Sequence, residues 1–283
     1  MDHLFRELAP ISEAGWQEIE KEAKRTLKTT LAARKLVDFV GPLGWQASAV
    51  GLGRSKVAEP PSRSSVETQL REVLPLVELR VPFELRRAEL NALDRGAKDF
   101  DNDAIIDAAR EIAIAEDQAV FHGYPAGGIR GICEHAAASV TIGGATADYP
   151  SLVTNALNRL REAGVGGPFA IALSERCYTE LTGSTEEGYP VLQHVRRLID
   201  GPLVWAPGLD GAVVLSMRGE DFELTVGQDF SIGYLDHDAE LVRLYIEESF
   251  TFWLLSPQAA VPLVFPEAAA QDRSPPHQSN HRA

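Results

Sequence analysis

Between Gly51 and Ser65 the chain carries Gly51, Gly53, Pro60, Pro61 and several serines, with Arg54, Lys56 and Arg63, and no apolar stripe. A segment of that kind cannot bury enough surface to offset the entropy of ordering it. Two readings stand open: a flexible surface loop, or an arm that orders only against a neighbouring copy of the chain. The rest is different in kind. The 283 residues are 45% hydrophobic and 24% charged, an ordinary globular balance with ample surface for a core.

Ser12 reads as the N-cap of a long helix, with Glu13 in its first turn. Trp16, Ile19, Ala23, Leu27 and Leu31 then recur at three- and four-residue steps, and the pattern predicts helix to about Leu36. Gly41, Pro42 and Gly44 end it. Leu74 to Leu85 predicts a strand, Arg86 to Leu93 a short helix, and Asp103 to Phe121 a second strong helix striped by Ile105, Ile106, Ala109, Ile112, Ala113 and Val120. From about His135 to Asp221 helices and strands alternate, with the polar loop Thr182–Tyr189 among them. Strands follow at Phe222–Val226, Phe230–Tyr234, Val242–Glu247 and Phe250–Leu255. The proline-, glutamine- and histidine-bearing stretch from Pro266 to Ala283 predicts a disordered tail. The first and last segments are expected to share one core and the α/β insert to form a second, which makes an α+β protein with a discontinuous domain.

The chemistry the sequence offers is thin. A formal net charge of −14 argues against a nucleic-acid partner. No apolar run approaches the roughly 20 residues needed to cross a bilayer, so no membrane partner is expected. The start from Met1 to Pro10 does not read as a signal peptide, which predicts a cytoplasmic protein. Cys133 and Cys177 show no metal spacing and read as buried or half-buried thiols. There is no H-E-x-x-H, no G-x-S-x-G elbow, no phosphate loop and no dinucleotide fingerprint. His277 and His281 lie among prolines and serines and read as exposed. The glycines of Gly123 to Gly131 follow a helix and read as a turn. The neighbouring carboxylates Glu116–Asp117, Glu186–Glu187 and Glu247–Glu248 read as a solvated helix face, a loop tip and a strand edge. Phe250, Phe252, Trp253, Leu254 and Leu255 either pack a sheet or line a contact with another chain. No catalytic residue, metal site or cofactor is expected, and the chain does not read as an enzyme.

Six blocks nonetheless carry a resemblance: LAPISEAGWQEIEKEAKRTLKTTLAARKLVDFVGPLGW (Leu8 to Trp45), LPLVELRVPFEL (Leu74 to Leu85), EDQAVFHGYPAGGIRGI (Glu116 to Ile132), GYPVLQHVRRLIDG (Gly188 to Gly201), VGQDFSIGYLDHD (Val226 to Asp238) and VRLYIEESFTF (Val242 to Phe252). In this order, across nearly the whole folded chain, they resemble the type 1 encapsulins, also called linocin or bacteriocin-type shell proteins. The tail from Pro266 onward has no part in the match. The resemblance implies the tailed-bacteriophage major capsid fold of the Hong Kong 97 type. It would have a peripheral domain from residues 1–47, 73–134 and 223–265, an extended arm (the E-loop) at 48–72, an axial domain at 135–222, and the tail at 266–283.

It also implies a self-assembling shell subunit of an icosahedral nanocompartment, a virus-like particle of roughly 60 copies where one subunit fills each asymmetric unit. Such shells enclose a cargo enzyme, a dye-decolorising peroxidase or a ferritin-like protein, for oxidative-stress handling or iron storage. The cargo's C-terminal targeting peptide lies in an apolar groove between the first helix and the terminal sheet. By resemblance Arg34 and Asp38 are its polar anchors, with Leu31 and Leu36 on one wall and Asp229, Ser231 and Ile232 opposite. The pore loop at the five-fold axis corresponds to Thr182, Gly183, Ser184, Thr185, Glu186, Glu187, Gly188 and Tyr189, where a ring of carboxylates would favour cations. Some relatives carry a Trp where this chain has Ala88, which counts against a bound flavin. The other readings are a secreted bacteriocin or protease, for which no motif joins a nucleophile to a base, and a phage major capsid protein.

Overall fold

A computed structural model describes residues 3–60, 66–143, 148–186 and 188–266. Helix α1 (Glu13–Thr30) begins where the Ser12 hydroxyl accepts the N–H of Gly15 at 3.0 Å, and it buries Trp16, Ile19, Ala23 and Leu27. It stops short of Leu36 for a reason outside its own sequence. The Asp117 carboxylate takes the N–H groups of Ala32 and Ala33, at 2.9 and 2.8 Å, so the helical ladder cannot continue through them.

The chain then runs through β1 (Asp38–Val40), β2 (Ala49–Ala58), β3 (Thr68–Pro75), β4 (Val77–Arg86), α2 (Arg87–Asp94), α3 (Asp103–Phe121), α4 (Ile132–His135), β5 (Val140–Thr141), α5 (Tyr149–Glu162) and β6 (Phe169–Leu173). It continues through α6 (Glu175–Gly183), β7 (Thr185–Glu186), β8 (Tyr189–Pro190), α7 (Val191–Leu198), β9 (Leu203–Trp205), β10 (Ala212–Ser216), β11 (Phe222–Val226), β12 (Ser231–His237), β13 (Leu241–Leu254) and β14 (Ala260–Val264). The stretch Leu74–Leu85 is thus not one strand. It breaks at Leu76, with β3 turned toward β2 and β4 toward β13.

Two sheets organise the described residues. The first has the order β1-β11-β13-β12, with β4 also paired to β13; β1 runs parallel to β11 and the other pairs are antiparallel. The second has the order β5-β14-β10-β6-β9. Helices α1, α2 and α3 pack Ile19, Leu27, Leu90, Ile105 and Ile112 against Phe83, Leu85, Ile232, Leu244 and Ile246 of the first sheet. A second cluster runs from Ile171, Leu173, Val213 and Val214 through Phe121 to Phe222, Phe250, Phe252 and Leu254, so these members of the aromatic run pack a core, whereas Trp253 is half-buried and Leu255 exposed. The last strands do not stay together. Ala260–Val264 is apolar throughout, as suits a strand buried on both faces, and it joins the second sheet beside β10.

The segment from Ala49 to Pro75 pairs chiefly with itself, as the hairpin β2–β3. Val57 on it is 87% exposed. Beyond Pro266 the predicted tail, with His277 and His281, lies outside the described residues.

Candidate functional site

The pairs Glu116–Asp117 and Glu247–Glu248 are not solvated, contrary to the sequence reading: all four residues are buried, on α3 and β13. Glu116 and Glu248 form the frame of one site. Arg34, just past the end of α1, donates Nε and Nη2 to Glu116 (2.8 and 2.5 Å), Nη1 to Asp229 (2.7 Å) and Nη2 to Glu248 (2.9 Å). Its guanidinium also lies 4.4 Å from the ring centre of Phe230 and 5.2 Å from that of Phe39. Burial alone would weaken its charge, but the Glu116, Glu248 and Asp229 carboxylates hold it above the ordinary arginine range. On the acid side burial, then the Glu116 charge, pushes Glu248 well above the usual carboxylate range. Burial likewise raises Asp117 to about 7 against the pull of its two backbone N–H bonds. Glu247 is held separately, by Arg80 at 2.6 Å and Gln228 at 3.0 Å, with His3 at 3.2 Å. The sequence did carry a signal for α3. Glu116 and Asp117 fall four residues after Ile112 and Ala113 and four before Val120 and Phe121, on the apolar stripe itself.

Beside Arg34 opens a cavity of about 530 Å³ between α1 and the edge of the first sheet. Of the groove residues expected by resemblance, the structure brings Arg34, Asp229, Ser231 and Ile232 together in its wall. Three others do not line it. Leu31 is packed under α1 in the first core, and Leu36 is 2% exposed in the second core, each drawn inward as an apolar side chain. Asp38 lies on β1, where its Oδ2 accepts the N–H of Glu220 at 2.6 Å and holds a turn in which Glu220 has φ 61°. The apolar lining comes instead from Ala23 and Leu27 of α1, with Phe230 and Ile246, and the rim carries Lys24 and Lys28.

One wall had no sequence signal. The segment around Leu4 wraps the outer edge of β12, and its carbonyl accepts the N–H of Tyr234 at 2.8 Å. Arg6 pins it to α1 through Glu20 at 2.6 Å and the Trp16 ring at 4.1 Å, and His3 stacks on Trp45 at 4.4 Å.

The expected pore loop is a small hairpin at the end of α6. Thr182 and Gly183 close the helix, the Ser184 hydroxyl donates to the Glu180 carbonyl at 2.6 Å, and Thr185 and Glu186 of β7 pair with Pro190 and Tyr189 of β8. Gly188 is exposed with φ 81°, and Tyr189 stacks on His194 at 4.7 Å, with the Arg197 guanidinium over the Tyr189 ring at 5.3 Å from its centre. Glu187 lies outside the described residues. Among the described residues no group of His, Cys, Asp or Glu has the arrangement to hold a metal ion, and no helix is long and apolar enough to cross a membrane. Both cysteines are free thiols, and burial pushes Cys133 up to about 12, far from a reactive thiolate.

A family model described as the encapsulating protein for peroxidase matches residues 1–251. A type 1 encapsulin shell protein of Rhodospirillum rubrum is 58% identical over 270 residues, covering 93% of this chain and 96% of the relative. A shell protein of the same description from Mycobacterium tuberculosis is 42% identical over 264 residues, covering 93% and 99%. Among solved structures, the virus-like particle from Pyrococcus furiosus superposes with a TM-score of 0.62 at 16% identity, over 88% of this chain and 98% of the other. That of Mycobacterium phage Bobi superposes with a TM-score of 0.57 at 15% identity, over 86% and 91%. These distant likenesses fix the fold as the α+β capsid fold of the Hong Kong 97 type.

Proposed function

The chain belongs to the encapsulin shell proteins, and on that footing we propose that it closes into an icosahedral cytoplasmic container of roughly 60 copies around a cargo enzyme captured by its C-terminal peptide. Its part is structural. The observation that carries the reading is the cavity beside Arg34: an apolar trough on a rigid helix and sheet, with its one deep cation already tied to three carboxylates. A peptide of apolar anchors fits such a trough without having to neutralise it.

We take the hairpin β2–β3 as the arm, residues 48–72, which buries its exposed Val57 and Leu70 against the next copy. Residues 1–47, 73–134 and 223–265 are taken as the peripheral domain and 135–222 as the axial one, with β14 crossing into the axial sheet. Thr182–Tyr189 is taken as the loop that rims a cation-favouring pore. For the cargo, the matching family model's reference to peroxidase supports a dye-decolorising peroxidase over a ferritin-like protein, and with it a role in oxidative-stress handling.

The test is to purify the protein from its native host and resolve it by size exclusion and mass spectrometry. We expect one uniform particle of virus-like size that carries a second protein inside, and less of that protein when Arg34 is replaced by Ala. A monomer or dimer in native buffer would overturn the shell reading, and particles that load equally well with Arg34→Ala would overturn the groove.

A further inference from the structure

The groove contains an open sheet edge. Among the described residues strand β12 pairs with a strand on one side alone, β13. The N–H of Tyr234 turns away from β13, toward the carbonyl of Leu4, so Tyr234 and Leu244 form a pair of the non-hydrogen-bonded kind. Such pairs alternate along an antiparallel ladder. Ile232, opposite Ile246, is therefore of the same kind, and its N–H and C=O point to the outer edge as well. Ile232 lines the cavity.

We propose that the cargo peptide enters this groove as an added β-strand, hydrogen-bonded to the N–H and C=O of Ile232 and stopped at one end by Leu4. The proposal rests on the groove being the peptide site, and it names how the peptide is read. The edge already accepts the main chain of one extended segment, since Leu4 occupies the neighbouring position on it. That segment is held in place on both faces of the strand. On the groove side Arg6 fixes it to α1. On the far side the Tyr245 hydroxyl donates to the carbonyl of His3 at 3.4 Å, its ring passing across Gly233. A Cβ at Gly233 would come within 2.1 Å of that ring, so the crossing requires glycine there. The stop is thus rigid, and the next open main-chain partners are those of Ile232.

An added strand would lay alternate side chains onto Ala23, Leu27 and Ile246 and leave the others in solvent. The recognised peptide should be apolar at every second position over its bound length, and should lose binding when an amide facing Ile232 is removed. Recognition by side-chain pockets alone predicts no such alternation in the amides.

The experiment co-expresses the shell with a fluorescent protein that carries the C-terminal segment of whichever protein co-purifies from the native host. Each tail position is changed in turn to proline, which lacks the N–H and is tolerated at a strand edge. In the shell, Ile232→Pro removes the outward donor and Ile232→Val retains it. Loading should fall about tenfold with Ile232→Pro and persist with Ile232→Val. Along the tail, a proline at the position whose N–H faces the Ile232 carbonyl should abolish loading, and prolines at its two neighbours should spare it. Normal loading of an assembled Ile232→Pro shell, or loss without alternation along the tail, overturns strand addition. If Ile232→Pro does not assemble, the tail scan decides alone. If the unmodified tail fails to load, the peptide-site reading falls, and this one with it.

Discussion

The arm and the groove both offer surface that a single copy leaves uncovered, yet they are made in opposite ways. The hairpin β2–β3 has no interior: none of its described residues is buried, and an exposed side-chain bond from Ser55 to Gln69 at 2.6 Å crosses between its strands. The groove sits on buried acids, with Arg34 bound to three of its neighbours and Asp117 tying the end of α1 to α3. On the proposed reading the copy it lies on orders this arm, so its burial energy is realised only in assembly. A groove like this is set before any ligand arrives, so little ordering cost is charged to binding.

The contrast breaks hardest at the arm. Val57→Asp with Leu70→Asp puts charges where the arm needs apolar contact, each side chain worth about 1.5–3 kcal/mol when buried, repeated over every copy. Particles should disappear from size exclusion while the subunit keeps its thermal transition. Particles that still form would mean the arm is not the seam.

Arg34 should behave the other way round. Arg34→Met leaves Glu116 and Glu248 buried without their cation, and removing one partner of such a group costs about 3–5 kcal/mol. The unfolding temperature of the subunit should drop clearly. Where particles still assemble, they should be empty. An Arg34→Met subunit as stable as the parent would mean the buried acids are already neutral without it.

Next in size is a pH effect confined to the groove frame. The folded chain binds the Asp117 proton more tightly than the unfolded chain does, at about 7 against the ordinary 3.8. The stabilisation is therefore whole below the ordinary value and lost as pH rises from about 4 to 7, by at most about 4 kcal/mol. Glu248, also raised, acts in the same direction. Denaturation midpoints followed across that window should decline for the parent and flatten for Asp117→Asn. The arm variants should decline like the parent, since they leave this frame intact.

What the sequence disclosed follows the same divide. That the stretch after Gly51 has no core of its own was legible, because a missing apolar stripe is a local property; the strands β2 and β3 were not. The start of α1 was legible too, from Ser12 and Glu13. Its end was not, because the carboxylate that stops it comes from Asp117, distant along the chain. The buried acids of α3 were legible in principle, since they stand on the stripe at helical spacing. Glu247 and Glu248 were not: adjacent strand residues face opposite ways, and only packing reveals that β13 is covered on both sides. The resemblance supplied Arg34, Asp229, Ser231 and Ile232, all in the cavity wall, and also Leu31, Leu36 and Asp38, which do not line it. The Leu4 wall is written in no pattern, because one carbonyl on a sheet edge leaves no periodic trace.

The smallest effect separates the cavity from the anchor set the resemblance implied. Asp38 holds the N–H of Glu220 at 2.6 Å, in an exposed turn beside the short strand β1. Asp38→Ala should cost about 1 kcal/mol, the net worth of such a bond. It should leave the Arg34 bonds untouched, because Asp38 takes part in none of them. Cargo loading in Asp38→Ala shells should then match the parent, while Arg34→Ala shells load less. Equal losses in the two variants would move the peptide out of the cavity and toward β1, where the edge of the sheet opposite β12 has no further strand among the described residues.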